Sequence, residues 1–444
     1  MDLTNFTYLT EKQQDAYNAM KQGLNVFLTG PGGTGKSYLI KKFIQEYEKI
    51  LDLDRSGTND FIDKNPLQVT STTGISSLLI NGKTLHRFAG IGLGNYDGSY
   101  YVSKIKKNNK LKQRWLNTKV LIIDEVSMLS PDLLEKIDYI AKTLRGVQQR
   151  FGGIQLILSG DFLQLPPVNS DKFCFESPLW NELIDKTFYF QEIIRQDNKE
   201  FQSVLNKIRV GIVDDQVKTI LDSCVGKDSS ELLIEPTILL STKKMVKEYN
   251  DKKLQDLGDV KKCIFKASYD FVNIKEEFKE NYVETLNNSI DVNDNIELKI
   301  GTQVMLVING LDDYLANGSV GKIINFDDGL PVVQFTNGIK KKIEYYRWSL
   351  LDDNEIKKKS EVQEPNVHKT QIPLILAWAI TIHRAQGATL DYVKTDIGSS
   401  IFEYGQIYVV LSRVKTLDGL YIKNINYKKI KANPKVIAYY ESIC

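Results

Sequence analysis

The sequence predicts an α/β protein built on parallel sheets that carry helices on both faces. Continuous apolar runs at residues 25–30, 120–124 and 154–161 each end in glycine or an acidic residue. Strands whose two faces are both buried, as in parallel sheets, have continuous rather than alternating apolar runs. The first run is followed by a glycine-rich loop and then by apolar residues at helical spacing. This order of strand, loop and helix is typical of an α/β architecture.

Length and composition limit the classes of protein that fit. The chain has 444 residues, of which 42% are hydrophobic and 26% charged, with a formal net charge of +2. No apolar run approaches the roughly 18 residues of a membrane span, and the first residues lack the pattern of a secretory signal. We therefore expect an intracellular protein without a membrane partner. The small net charge means that nucleic acid would need a local basic groove, and the four cysteines lack the spacing of a zinc site.

Changes in the pattern of apolar and turn-forming residues along the sequence predict that one domain is inserted into another. Residues 1–188 carry the first α/β pattern. Short β-type runs divided by Asn-Gly and Asp-Gly turns predict a small antiparallel barrel at about 300–372, within an inserted domain at 261–372. The α/β pattern returns after this insertion. We therefore predict a second α/β domain formed by residues 189–260 and 373–444.

The stretch "GPGGTGKS" fits the pattern G-x-x-x-x-G-K-[ST] between the predicted strand and helix. Its glycines allow backbone N–H groups to surround phosphates, Lys36 can reach the outer phosphates, and Ser37 can bind Mg²⁺. The sequence therefore predicts a nucleotide site with Mg²⁺. The residues expected to bind the nucleotide here are Gly30, Pro31, Gly32, Gly33, Thr34, Gly35, Lys36 and Ser37.

Polar groups at two further strand ends predict a hydrolytic site. Asp124 ends the run "VLIID" and can hold Mg²⁺, while Glu125 beside it can polarise the attacking water. The alternative is that this acidic pair only caps the helix predicted at 130–144. Gln164 in "LSGDFLQLPPV" is placed to sense the γ-phosphate, although a turn of this kind taken alone is more often structural. Adjacent acidic residues favour hydrolysis over phosphoryl transfer to a small substrate.

Hydrolysis also needs cations near the charge that develops on the phosphate. The candidates are Arg195 in "FQEIIRQDNKEF" and Arg413 in "YVVLSRVKTLDGLYI". The alternative for each is an ordinary surface ion pair. If both arginines lie in the second α/β domain, a nucleotide held between the domains would move them when it is hydrolysed. That arrangement predicts a motor.

The motifs together resemble those of a known family. The resemblance to the helicases of superfamily one rests on "LTEKQ", "GPGGTGKS", "TSTTGISSLLINGKTLHRFAGIG", "DEVSML", "FGGIQLILSGDFLQLPPV", "IIRQ", "NGSVGKI", "LAWAITIHRAQGATLD" and "YVVLSR", in that order. The segment from "DEVSML" to "LPPV" resembles the signature of the Pif-one (petite integration frequency) DNA helicases of superfamily 1B. The resemblance implies two RecA-like P-loop NTPase domains, with a wedge insertion at about 89–118 in the first and the β-barrel insertion in the second. The wedge is expected to be a strand-separating loop that contacts the DNA backbone.

The resemblance also implies roles for individual residues. Gln13 stands at the position that contacts the nucleotide base, with Gln14 beside it as the alternative. Gln386 and Gly387 are expected to lie near the nucleotide. The residues implied in ATP hydrolysis are Lys36, Asp124, Glu125, Gln164, Arg195 and Arg413, with Ser37 and Asp124 on Mg²⁺. The residues implied in binding single-stranded DNA are Thr73, His86, Phe88, Thr381 and His383; the alternative for Phe88 and His383 is a place in the core.

The function implied by the resemblance is that of an ATP-dependent DNA helicase. Such enzymes move 5′ to 3′ on single strands and unwind duplexes, DNA–RNA hybrids and guanine quadruplexes, in replication, repair, recombination or telomere maintenance. The expected partners are single-stranded and forked DNA, and the free protein is expected to be monomeric. Two alternatives stay open, namely a helicase that acts mainly on RNA or hybrids and a nucleotide-dependent binding switch. The expected compartment is the cytoplasm or nucleoid for a bacterial or viral host and the nucleus or mitochondrion for a eukaryotic one.

Overall fold

The computed structural model describes residues 9–55, 66–92, 94–168, 170–194, 198–290, 292–312, 314–350, 365–398 and 403–443. These residues form two compact units. The first unit contains the described residues up to Ile212, together with Glu403–Gly405 and the residues from Lys431 onward. The second unit contains the described residues of Val213–Phe402 and Gln406–Ile430.

The first unit is built on one six-stranded sheet. Its strands are β1 (Val26–Thr29), β2 (Leu67–Ser71), β3 (Lys83–Thr84), β4 (Val120–Asp124), β5 (Gln155–Gly160) and β6 (Lys186–Tyr189). In the order β3-β2-β4-β5-β1-β6, all neighbouring strands are parallel. The helices of this part of the chain are α1 (Glu11–Lys21), α2 (Lys36–Arg55), α3 (Gly74–Leu79), α4 (Leu85–Ala89), α5 (Gly98–Lys106), α6 (Asn109–Asn117), α7 (Pro131–Arg145), α8 (Trp180–Leu183) and α9 (Lys199–Arg209).

Both faces of this sheet are covered. Val26 and Leu28 of β1 belong to one cluster of buried apolar residues, whereas Phe27 between them belongs to another. Successive side chains of a strand point to opposite faces, so the two clusters lie on the two faces of the sheet. This arrangement explains the continuous apolar runs in the sequence. The predicted α/β architecture with parallel strands and flanking helices is confirmed.

The second unit contains a parallel sheet and a group of antiparallel sheets. Its strands are β7 (Thr237–Leu240), β8 (Lys262–Lys266), β9 (Ser268–Val272), β10 (Asn295–Lys299), β11 (Gln303–Leu306), β12 (Val320–Asp327), β13 (Leu330–Phe335), β14 (Lys340–Lys342), β15 (Tyr346–Ser349), β16 (Asn366–Gln371), β17 (Leu374–Leu376), β18 (Ala379–Thr381), β19 (Val393–Ile397) and β20 (Leu420–Ile425). Its helices are α10 (Asp215–Asp222), α11 (Lys243–Asp256), α12 (Lys279–Ile290), α13 (Ile382–Ala385) and α14 (Gln406–Leu411). The four-stranded parallel sheet has the order β18-β7-β19-β20. No helix within the described ranges is long and apolar enough to cross a membrane.

The antiparallel strands pack around one apolar core. They form three sheets with the orders β10-β8, β14-β13-β12-β11-β17 and β15-β16-β9. The five-stranded sheet begins at Gln303, close to the start predicted for the barrel, whereas β8, β9 and β10 lie in the part of the predicted insertion before residue 300, where no strands were expected. Only Phe265 of the five residues of β8 is fully buried. The charged residues around it therefore gave this strand a weak apolar pattern in the sequence.

The first unit extends past residue 188, where the first domain was predicted to end. It also includes Glu403–Gly405 and the residues from Lys431 onward, which were predicted to belong to the second domain. Arg209 in α9 forms two hydrogen bonds of 2.8 Å with Asp161, which follows β5. A Cβ atom at Gly405 would lie 2.3 Å from the carbonyl oxygen of Gln164, so only glycine allows this close approach. The last helix, α15 (Pro434–Ile443), packs on the same unit through the buried Tyr440. These contacts join residues that are far apart in the sequence, so no local sequence pattern could predict them.

The predicted wedge, residues 89–118, is not the loop that its glycines and lysines suggested. Its described residues contain α5 and α6, and the side chains of Asp97 and Asn108 accept backbone N–H groups at the two helix starts. Tyr101 and Trp115 are buried in the first core cluster. The prediction of a loop was wrong because capping residues and helical apolar spacing outweigh the turn-forming residues near them.

Phe88→Ala is expected to lower the free energy of unfolding by about 3–5 kcal/mol, because it removes a wholly buried ring. The ring centroid of Phe88 lies 4.9 Å from that of Trp115. Thermal unfolding of the full chain measures this change. Phe278→Ala is the control, since Phe278 is 47% exposed, and it should change stability by less than about 1 kcal/mol. Equal stability of the two variants would contradict a core role for Phe88.

Candidate nucleotide site

The loop between β1 and α2 has the geometry of a phosphate site. Gly30, Gly33 and Gly35 have φ angles of 133°, 85° and 83°, which lets successive backbone N–H groups turn toward one concave side. A Cβ atom at Gly30 would lie 2.1 Å from the carbonyl oxygen of Phe190. Helix α2 starts directly after this loop and is 20 residues long, so the positive end of its dipole faces the loop. The predicted phosphate-binding residues are thus together in this loop and the first turn of α2.

Lys36 folds back over this loop. Its Nζ donates hydrogen bonds to the carbonyl oxygens of Gly30 at 2.7 Å and Pro31 at 2.8 Å. Burial lowers the pKa of Lys36 to about 8, although Asp161 and Glu125 act to raise it. A phosphate oxygen carries charge and accepts a stronger hydrogen bond than a neutral carbonyl does. The ammonium group is therefore placed to exchange these carbonyls for a phosphate.

Asp124 lies at the end of β4 and is only 6% exposed. Burial raises the pKa of its carboxyl group, while the Ser159 hydroxyl, the Glu125 backbone N–H and Lys36 act to lower it. Among the described residues, no cluster of three or more His, Cys, Asp or Glu side chains could enclose a metal ion. Mg²⁺ does not need such a cluster, because it is commonly bound by one or two protein oxygens together with phosphates and water. Asp124 and Ser37 therefore fit as the residues that would hold it.

The backbone at Glu125 is held in a left-handed conformation, with φ 55° and ψ 44°. For a residue other than glycine this costs roughly 1–3 kcal/mol, and such strain is concentrated at functional sites. The hydroxyl of Thr72 donates to the Glu125 carbonyl oxygen at 2.8 Å, and that of Ser71 donates to the Asp124 carbonyl oxygen at 3.1 Å. The end of β2 thus fixes the acidic pair, a role for Ser71 and Thr72 that the sequence did not reveal.

The alternative reading of the acidic pair, as a helix cap, is wrong. Helix α7 is capped by Ser130, whose side chain accepts the backbone N–H of Leu133 at 3.2 Å. The carboxylates of Asp124 and Glu125 therefore do not cap this helix. Their position at the sheet edge needs another explanation.

Gln164 follows β5 in a tight turn. Its side chain is 6% exposed, and its Oε1 atom has no hydrogen-bond partner among the residues that the structure describes. A buried acceptor without a partner costs about 1–3 kcal/mol. The backbone N–H of Gln164 donates to the Asp161 carbonyl oxygen at 2.9 Å, which fixes the turn. The amide oxygen is therefore held in place with its bonding capacity unused.

Gln13 rather than Gln14 lies against the phosphate loop. The Gln13 side chain is 3% exposed, and its Nε2 donates to the Thr34 carbonyl oxygen at 3.1 Å. Gln14 is exposed and donates to Asn18 on the same helix. Contact of Gln13 with a nucleotide base stays a prediction.

The predicted DNA contacts in the first unit have different surroundings. Thr73 caps the short helix α3, since its hydroxyl accepts the backbone N–H of Ser76 at 3.2 Å. Burial and then the charge of Lys136 lower the pKa of His86, which favours its neutral imidazole. Phe88 was expected to stack on a base, but its ring is completely buried in the core. That prediction is wrong for Phe88 because none of its ring surface is exposed.

The predicted site residues of the second unit gather around α13 and the end of α14. Thr381 ends β18 and caps α13 by accepting the backbone N–H of Arg384 at 3.1 Å. His383 lies within α13, and Gln386 and Gly387 follow it, with Gln386 buried. These residues therefore form one local group, and their nucleotide and DNA contacts stay predictions.

Arg413 is buried, so its alternative as a surface ion pair is wrong. The side chain is 1% exposed. Its guanidinium donates to the carbonyl oxygen of Val409 at 2.9 Å and to the Ser412 hydroxyl at 2.7 Å. These bonds fix its orientation, while its contact with a phosphate stays a prediction. Arg195 lies outside the described residues.

Asp161 and Arg209 were not predicted as site residues, although both are buried and their charges act on Lys36 of the phosphate loop. Burial acts to raise the pKa of Asp161, but the charge and hydrogen bonds of Arg209, together with Lys36, leave it below its usual value. Asp161 ends a predicted strand and could have been noticed there. Nothing near Arg209 in the sequence points to its partner, which is 48 residues away.

Comparison with known proteins identifies the family. The PIF1-like helicase family matches residues 8–219. Over 98% of its length the chain is 36% identical to the ATP-dependent DNA helicase PIF1 of Xenopus laevis, and it spans 64% of that relative. The crystal structure of the Pif1 helicase from Candida albicans is 33% identical, with a TM-score of 0.80 over 99% of this chain and 100% of that one. A Bacteroides Pif1 helicase solved in complex with ADP-AlF3 and ssDNA is 29% identical, with a TM-score of 0.64 over 98% of this chain and 97% of that one. The chain belongs to the PIF1-like helicase family.

Proposed function

We propose that this chain is an ATP-driven DNA helicase that hydrolyses ATP at the phosphate loop of its first unit. The observation that carries the proposal is the strained backbone of Glu125 beside the buried Asp124, at the same sheet edge as Lys36. Strain and buried charge at one place cost stability, and such costs are typical of catalytic sites. The Bacteroides relative was solved with both a nucleotide and single-stranded DNA, which supports the same two ligands here.

ATP hydrolysis would use the groups of the first unit as follows. Backbone N–H groups of residues 30–37, except Pro31, which has none, and the Lys36 ammonium group bind the phosphates. Ser37 and Asp124 would hold Mg²⁺, which, when bound, supplies positive charge against the phosphate oxygens. Glu125 accepts a proton from the attacking water, and Gln164 Oε1 accepts a hydrogen bond that orients this water. The amide oxygen is suited to that role because it is buried with no partner among the described residues.

We propose Arg195 and Arg413 as the cations that stabilise the transition state. An arginine in this role is commonly worth several orders of magnitude in the rate of hydrolysis. Arg413 supports the proposal through its fixed guanidinium, because a preorganised donor does not have to be ordered during the reaction. Gln386 and Gly387 are proposed to respond to the nucleotide through the same group of residues around α13.

We propose that the DNA track includes Thr73, His86, Thr381 and His383. Thr73 lies two residues after β2, Thr381 is the last residue of β18, and each caps a short helix. In both cases a hydroxyl-bearing residue lies at the carboxyl end of a parallel strand, which supports similar roles for the two threonines. We further propose movement from 5′ to 3′ and action on forked duplexes, DNA–RNA hybrids and guanine quadruplexes in replication, repair, recombination or telomere maintenance, on the basis of the family resemblance.

Glu125→Gln is expected to lower the rate of ATP hydrolysis by at least about 100-fold while nucleotide affinity is retained, because it removes the base and keeps the shape. Lys36→Ala should weaken nucleotide binding as well. Steady-state hydrolysis and nucleotide titration measure these effects. Glu48→Gln is a matched control, since Glu48 is exposed on α2 outside the site. Hydrolysis by Glu125→Gln at the rate of this control would refute the assigned site.

Strand displacement should depend on which strand carries the single-stranded tail. A partial duplex with a 5′ tail is expected to be unwound in the presence of ATP, whereas the same duplex with a 3′ tail is not. The measurement is the fraction of strand released over time from each substrate. Faster release from the 3′-tailed duplex would reverse the proposed polarity, and release from neither would favour a binding switch.

A further inference from the structure

A buried polar network joins the strand before the phosphate loop to the turn that carries Gln164. The hydroxyl of Thr29, the last residue of β1, lies 2.7 Å from the hydroxyl of Tyr440 in α15. The Tyr440 hydroxyl also accepts the backbone N–H of Phe162 at 3.1 Å and donates to Asp161 Oδ1 at 3.1 Å. With one donor and two acceptor positions used, the hydroxyl is fully bonded. It therefore connects the ends of β1 and β5.

Asp161 links the Tyr440 hydroxyl to the backbone of Gln164. One of its carboxylate oxygens accepts the backbone N–H of Leu163 at 3.1 Å, and its carbonyl oxygen accepts the N–H of Gln164 at 2.9 Å. Arg209 binds the carboxylate from the other side with two bonds of 2.8 Å. The position of the Gln164 turn thus depends on Asp161.

The network fixes the orientation of its polar groups more than it stabilises the fold. Asp161 and Arg209 are 0% and 4% exposed, and a buried ion pair often adds no stability over apolar residues of the same shape. Arg209 also lies 5.0 Å from the ring centroid of Tyr440 and 5.7 Å from that of Tyr189. Each polar group is thereby fixed in one orientation. Such an arrangement is useful where the distance between two loops must be constant.

We propose that the Tyr440 hydroxyl is a positioning group for ATP hydrolysis, which sets the distance between the phosphate loop after Thr29 and the Gln164 turn after Asp161. The inference rests on the proposed function, since it concerns the same site. Tyr440 does not act on the nucleotide itself. It keeps Lys36, which binds the phosphate, and Gln164, which orients the water, in a fixed relation. The last helix of the sequence is therefore part of the catalytic arrangement of the first unit.

Tyr439 provides a matched control on the same helix. Its hydroxyl accepts the indole N–H of Trp180 at 3.0 Å, and its ring stacks on Phe175 at a centroid distance of 4.2 Å. Tyr439→Phe and Tyr440→Phe each remove one hydroxyl group from a packed aromatic side chain. The hydroxyl lost in Tyr440→Phe is bonded to residues at the ends of β1 and β5, whereas the one lost in Tyr439→Phe is bonded to Trp180.

The test measures kcat and KM for ATP, the nucleotide-binding stoichiometry and the unfolding midpoint of the full chain. Tyr440→Phe should lower kcat about tenfold, because small errors of position are costly in rate, while KM stays within about twofold of wild type. Tyr439→Phe should retain the wild-type kcat, and both variants should be folded and bind nucleotide at the temperature of the assay, although Tyr440→Phe loses more buried hydrogen bonds. The bond can also be removed from its other end, where Thr29→Val should lower kcat as Tyr440→Phe does, and Thr29→Ser should restore it. The double variant with Thr29→Val and Tyr440→Phe should lose no more than either single variant.

Two results would overturn the inference while leaving the proposed function intact. One is an active wild type with equal kcat for Tyr440→Phe and Tyr439→Phe. The other is a loss of rate that follows only the fraction of folded, nucleotide-binding protein. A wild-type chain without ATP hydrolysis would reject the proposed function and this inference together.

Discussion

Parallel pairing of β4, β5 and β1 is the constraint on which the site depends. The register aligns Thr29 with Gly160 and Ile123 with Leu158, so the residues that follow these strands meet at one edge of the sheet. The phosphate loop, the acidic pair and the Gln164 turn all begin there. No single segment could bring the phosphate loop, the acidic pair and the Gln164 turn to the same edge of the sheet. The apolar cores on the two faces of the sheet hold this edge, and the site is a consequence of their packing.

Stability and chemistry conflict at this edge of the sheet. Glu125 has a left-handed backbone, burial raises the pKa of Asp124, and Gln164 carries a buried amide oxygen with no partner among the described residues. Each of these features opposes folding and suits a site that binds a charged ligand. Bonds from Ser71 and Thr72, and the network of Asp161, offset part of the cost by fixing the backbone. The interactions that offset the cost of this strain and burial also make the site rigid.

The strands and the phosphate loop could be predicted because their signals are local. An apolar run, three glycines with positive φ and a lysine at fixed spacing are all contained within residues 25–37. Phe88 was misjudged because a sequence does not tell whether an aromatic ring faces a core or a ligand. The weakly patterned β8 and the helices of the wedge were missed because charged residues and glycines obscured their apolar spacing. The role of Tyr440 could not be predicted because its partner Asp161 is 279 residues away in the sequence.

We propose that hydrolysis of ATP at the first unit is coupled to single-stranded DNA. The most direct measurement is the rate of ATP hydrolysis by the full chain without nucleic acid, with single-stranded DNA and with RNA of the same sequence. A DNA motor should hydrolyse ATP many times faster with DNA than alone, and faster with DNA than with RNA. A rate that does not change with DNA would contradict the coupling, and stronger stimulation by RNA would contradict the substrate.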